Sequence, residues 1–75
     1  MDDELPDPLP EFGARLRALR TERGFSQESL AHVAGLDRTY VNSAEAGRRN
    51  VTLRTIYRLA AALGVDPAEL VSDRR

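Results

Sequence analysis

Cysteine, lysine and tryptophan are absent from these 75 residues, and His32 is the one histidine. Without cysteine there is neither a disulfide framework nor a thiolate metal site. With one histidine there is no cluster to hold a metal, and no cofactor is expected. Aromatic residues make up 5% of the chain, so any core must be built from aliphatic side chains. No apolar run approaches the roughly 18 residues of a membrane span, and the acidic start has neither the basic nor the apolar stretch of a signal peptide. A soluble, cytoplasmic protein without a membrane partner is therefore expected. No pairing of nucleophile with base and no phosphate-cradling glycine loop stands out either, so no enzymatic activity is expected.

What is present begins with size and charge. Seventy-five residues allow one domain, and a chain this short gains only thin stability from its own core unless a second subunit contributes. The net charge is −1, whereas nucleic-acid binders are usually basic. The distribution matters more than the sum. Residues 1–11 hold Asp2, Asp3, Glu4, Asp7 and Glu11 and no base, which leaves 11 basic and 7 acidic side chains, +4, on residues 12–75. All 11 bases are arginine.

The opening MDDELPDPLP combines acids with three prolines and predicts a mobile arm over residues 1–10, followed by a folded domain over residues 11–75. Pro10 suits a helix start, and Phe12, Leu16 and Leu19 carry a helix from Glu11 to Arg23, stopped by Gly24. Ser26 caps a second helix, Gln27 to Ala34, with Leu30, Ala31 and Ala34 on one face. Gly35 supplies a tight turn and Leu36 an apolar plug. Asp37 then caps a third helix, Arg38 to Ala46. Its Val41 and Ala44 face inward, and Arg38, Thr39, Asn42 and Ser43 face outward. After a loop over residues 47–51, Thr52 caps a fourth helix marked by Leu53, Ile56, Leu59, Ala60 and Leu63 and ended by Gly64. Asp66, Pro67 and Glu69 signal a short fifth helix, Pro67 to Val71. Five helices and no strand signal predict an all-α domain.

Two short helices joined by a glycine turn, the second presenting polar residues outward, are the parts of a helix-turn-helix. The strings SQESLA and AGLDRTYV, the pair Glu45 and Gly47, and GRRNVTLRTIYRLAAALGV resemble the Cro and phage-repressor type of helix-turn-helix regulators over residues 12–71. LDRTYV followed by GRRN is most similar to the controller proteins of restriction-modification systems. The resemblance implies a five-helix, lambda-repressor-like fold and a sequence-specific regulator acting on double-stranded DNA. The same fold also serves as a protein-interaction module, such as an antitoxin or anti-repressor.

In a recognition helix the exposed residues of the first turns meet base edges. Here these are Arg38, Thr39 and Asn42, with Ser43 beside them. Arg38 has the planar fork that pairs twice with guanine; otherwise it is a surface charge near an acidic cap. Asn42 is able to pair with adenine or simply faces solvent. Arg48, Arg49 and Asn50, next to the helix start at Thr52, suit phosphate, as do Arg54 and Arg17 more weakly, and one loop arginine suits a narrowed minor groove. The resemblance further implies that Gln27 bonds a phosphate and steadies a neighbouring reader. It places Tyr40 at the sugar-phosphate rim, although its ring equally suits packing on the first or fourth helix. It pairs Arg20 with Glu45 as architecture. Two departures from the family pattern are Ala44, where a larger aliphatic residue is usual, and Ser29, where a capping glutamate is common; the first leaves volume for Phe12 or Ile56 to fill and the second weakens the cap.

Leu63, Val65, Leu70 and Val71 offer more aliphatic surface than five small helices readily cover, which predicts a homodimer. Symmetry would set two recognition helices about 34 Å apart and require a palindromic site. A dimer over a promoter would exclude RNA polymerase, and one upstream would touch it.

Overall fold

The computed structural model describes residues 6–72. Within them the chain forms α1 (Leu9–Glu22), α2 (Gln27–Ala34), α3 (Arg38–Glu45), α4 (Leu53–Leu63) and α5 (Ala68–Val71), with no strand. The helix expected to start at Glu11 starts earlier, inside the stretch expected as an arm. Residues 1–5 lie outside the described residues, while Leu9 and Pro10 already belong to α1. The reason is local: the Leu9 N–H donates to the Asp7 carboxylate at 3.0 Å, and prolines at a helix start lose nothing because their missing donors have no partner there.

Each of the next helices has an identifiable start. At α2 the Ser26 hydroxyl accepts from the Ser29 N–H and the Ser29 hydroxyl accepts from the Ser26 N–H, both at 2.9 Å. The box expected to be weakened by serine at position 29 is closed by that serine. At α3 the side chain of Asp37 makes no cap hydrogen bond, which corrects the expected cap. Its carbonyl accepts from the N–H groups of Tyr40 and Val41, and its carboxylate contributes only as a charge at the positive end of the helix. Thr52 accepts from the Thr55 N–H at 3.2 Å to start α4, and Asp66 accepts from the Ala68 N–H at 2.9 Å before α5. Between α2 and α3, Gly35 takes φ +72°, and Leu36 donates its N–H back to Ala31 at 2.8 Å. A side chain at Gly35 would be strained in that left-handed conformation.

The core is aliphatic. Leu16, Leu30, Val41, Leu59 and Leu70 are fully buried, one from each helix, and Phe12, Ala31, Ala34, Ala44, Ala60 and Leu63 complete it. Each of the five large side chains contributes about 1.5–3 kcal/mol of apolar transfer. The approach of α1 to α3 is closer than side-chain packing permits: a Cβ at Gly13 would lie 2.4 Å from the carbonyl oxygen of Glu45 and 2.6 Å from that of Ala44. Ala44 itself is buried and belongs to the same core cluster as Phe12, with Ile56 packed against it. A second tie runs from α1 to the end of α4, where Arg23 donates to the Leu63 carbonyl at 3.1 Å.

Candidate nucleic-acid interface

The third helix offers the solvent a polar face because its apolar residues are consumed by the core. Val41 and Ala44 are buried, whereas Arg38, Thr39 and Asn42 are exposed and Ser43 is half-buried. A period of 3.6 residues places 38, 39 and 42 on one side of the helix. Arg38 has no carboxylate partner among the described residues, so its fork is uncommitted.

Behind that face runs a hydrogen-bonded chain. Arg20 of α1 grips Glu45 at the end of α3 with two nitrogens, Nε on Oε2 and Nη2 on Oε1, the latter at 3.1 Å. Its third nitrogen donates to the Phe25 carbonyl at 2.9 Å, tying the α1–α2 connection to the same point. Gln27 at the start of α2 donates to Glu45 Oε1 at 3.0 Å and accepts from Asn42 Nδ2 at 3.2 Å. The Glu45 side chain is 5% exposed and that of Arg20 11%, so this ion pair is largely removed from water and screening. Asn42 is left with its carbonyl oxygen and one N–H, the acceptor and donor that adenine requires. Gln27 retains one N–H that none of these bonds uses. Exposed Arg17 lines a shallow notch with Gln27, Asn42 and Ala46, which puts a cation beside that free N–H.

The loop after α3 is fixed at its first residue. Gly47 takes φ +75°, and a Cβ there would meet the Cα of Pro10 at 2.9 Å. Arg48, Arg49 and Asn50 follow, all exposed. The guanidinium carbon of Arg49 lies 4.6 Å from the centroid of the Tyr40 ring. Tyr40 is half-buried and packs against the core, so its ring has a structural contact as well as the one with the arginine. Thr52 spends its hydroxyl on the α4 cap and on Thr55, which leaves only backbone groups there for a phosphate. Arg54, in the first turn of α4, is exposed. A cation at the positive end of a helix is unfavourable by itself and suits an external anion. His32 is exposed on α2, away from these residues in sequence and unengaged by any of their hydrogen bonds.

The residues expected at a dimer interface are not together on the surface. Leu63, 3% exposed, and Leu70, fully buried, are sealed inside the protomer because α5 folds back against α1 and the buried face of α4, which carries Leu63, packs toward α2; Val65 is half-buried, and Val71 alone of the four stands open at 60%. An open apolar stripe lies elsewhere, on α4, where Leu53 is 69% and Tyr57 58% exposed. Leu53 was expected on the apolar face of this helix with Ile56, Leu59, Ala60 and Leu63, but it stands with Tyr57, four residues on, at the open margin of that face.

Among the described residues no group of His, Cys, Asp or Glu is arranged to hold a metal ion, and no helix is long and apolar enough to cross a membrane. The surface built by α3 and the loop after it presents arginines and amides together.

Comparison with known proteins agrees with that geometry. The helix-turn-helix family matches residues 16–70. The control protein C.MunI from a Mycoplasma species is 48% identical over 63 residues, covering 83% of this chain and 85% of that protein. The crystal structure of the restriction-modification controller protein C.AhdI from Aeromonas hydrophila superposes with a TM-score of 0.82 at 56% identity, over 83% of this chain and 94% of the other. The regulator of biofilm formation SinR, crystallised in complex with DNA, superposes with a TM-score of 0.78 at 29% identity, over 81% and 98% of the two chains. With the family match spanning α2, the glycine turn and the recognition helix, and with α1 to α5 in the same arrangement, this chain belongs to the helix-turn-helix family.

Proposed function

We propose that the protein is a sequence-specific transcriptional regulator that binds double-stranded DNA in the cytoplasm as a homodimer, without enzymatic activity. The observation that carries this reading is the joint exposure of Arg38, Thr39 and Asn42 on the first turns of α3, with Asn42 held through Gln27 and Glu45 to Arg20. Two of these side chains have the donor and acceptor pattern of a base edge: Arg38 for guanine and Asn42 for adenine. Arg48, Arg49 and Arg54, with Arg17 and the free N–H of Gln27, supply phosphate contacts that fix the register. The similarity to controller proteins and to a regulator crystallised on DNA supports the same assignment.

A second copy covers the open apolar stripe of α4, where Leu53 and Tyr57 follow directly on the Arg48–Thr52 loop. Pairing there places two loops near a common two-fold axis and two recognition helices about 34 Å apart, one turn of DNA. Such a dimer excludes RNA polymerase when it covers a promoter and touches it when bound upstream. Selection of duplexes from a random pool tests the reading: a two-fold symmetric consensus is expected, and failure to enrich any duplex with folded protein overturns it.

A further inference from the structure

Arg49 has a defined side-chain resting place: its guanidinium lies over the Tyr40 ring at 4.6 Å, while Arg48 next to it has no such partner among the described residues. Tyr40 is itself anchored, being packed against the buried core from the second residue after the recognition-helix start. The loop that carries Arg49 is anchored too, at Gly47 against Pro10. An exposed arginine ordinarily samples many rotamers and loses that freedom when it meets a phosphate. Here two fixed points, one in the backbone and one on an aromatic face, confine it before any ligand arrives. Stacking on a ring uses the guanidinium face and leaves its in-plane N–H donors directed outward.

Resting on the DNA-binding reading above, we infer that Tyr40 is a positioning residue for Arg49. Its ring holds the guanidinium over the recognition helix, so that base reading by α3 and backbone contact by the loop are set in one geometry. The ring and not the hydroxyl carries this role. The pairing also couples the two parts of the site: a loop that departs from its place withdraws Arg49 from the face that α3 presents.

The test uses the full chain, a labelled duplex of about 30 base pairs enriched by the wild-type protein from a random pool, and a range of salt concentrations. Tyr40→Phe, which keeps the ring, loses less affinity than Tyr40→Leu. Tyr40→Leu loses about 5- to 30-fold in a complex that contains the contact twice, with an unchanged salt slope, because the arginine charge is still present. Arg49→Ala loses affinity and also lowers the slope, and Tyr40→Leu combined with Arg49→Ala loses no more than Arg49→Ala alone. In DNA-free protein, the Arg49 side-chain protons show ring-current shifts in the wild type and Tyr40→Phe that vanish in Tyr40→Leu, a measurement that needs no operator and, in Tyr40→Phe, no core truncation. Losses that multiply across the two sites, or a Tyr40→Phe defect as large as that of Tyr40→Leu, overturn the inference while leaving DNA binding intact. A wild-type protein that binds no duplex overturns both.

Discussion

Asn42 on the recognition helix donates to Gln27 at the start of α2 across 3.2 Å, although the two are 15 positions apart in sequence. An amide that would otherwise rotate in solvent is thereby given one orientation, with its carbonyl and one N–H turned outward. Replacing Gln27 with leucine is expected to weaken discrimination at the base pair read by Asn42 about as much as Asn42→Ala does, roughly 1–3 kcal/mol. The double variant should lose little more. Binding to duplexes varied at single positions measures this, and additive losses would show that the two side chains act independently.

Arg38 and Arg48 should separate by the kind of loss they cause. Arg38→Ala is expected to relax preference at one position in each half-site by about 1–3 kcal/mol. Arg48→Ala should weaken all duplexes evenly and reduce the salt slope by about 1 per protomer. An even loss across every base from Arg38→Ala would falsify its role as a reader.

The Arg20–Glu45 pair is shielded from water on both sides, so truncating one partner strands the other. Arg20→Ala is expected to destabilise the fold by roughly 3–5 kcal/mol. Chemical denaturation is the measurement. A change below about 1 kcal/mol, the range of exposed pairs, would mean that water reaches Glu45 freely.

Gly13 presents an opposition between local and tertiary preference. Alanine favours a helix over glycine by about 1 kcal/mol, yet a Cβ at this position would sit 2.4 Å from the Glu45 carbonyl oxygen. Gly13→Ala is therefore expected to destabilise by about 1–3 kcal/mol as α1 is pushed off α3. A gain in denaturation midpoint would contradict the close approach of the two helices.

For the dimer, Leu53→Asp places a charge on the most exposed apolar residue of α4 and should shift sedimentation from dimer to monomer while leaving the helical signal unchanged. Val71→Asp, outside that stripe, should leave the dimer in place. The opposite pattern would move the interface to α5.

Much of this fold is written in short-range signals. The order of five helices, the glycine turn and the serine and threonine caps are decided by neighbours within a few positions, and these are readable from residue type and spacing. The misread boundaries have local causes as well: Asp7 starts α1 before Pro10, and Ser29 closes a box normally finished by glutamate. The exposure of Arg38, Thr39 and Asn42 follows from periodicity alone, because Val41 and Ala44 must point the other way. Packing across the chain was not readable in that manner. Leu63 and Leu70 have the same hydrophobicity as an interface residue, and only the seating of α4 on α2 and of α5 on α1 hides them. Gly13 carries its meaning in the carbonyl oxygens of α3, and Tyr40 in an arginine nine residues on. Sequence determined which helices form and which way each faces, since those depend on backbone propensity and a 3.6-residue period; the fold alone decided which apolar residues remain open and which polar ones are held in place, since both depend on contacts between segments far apart in the chain.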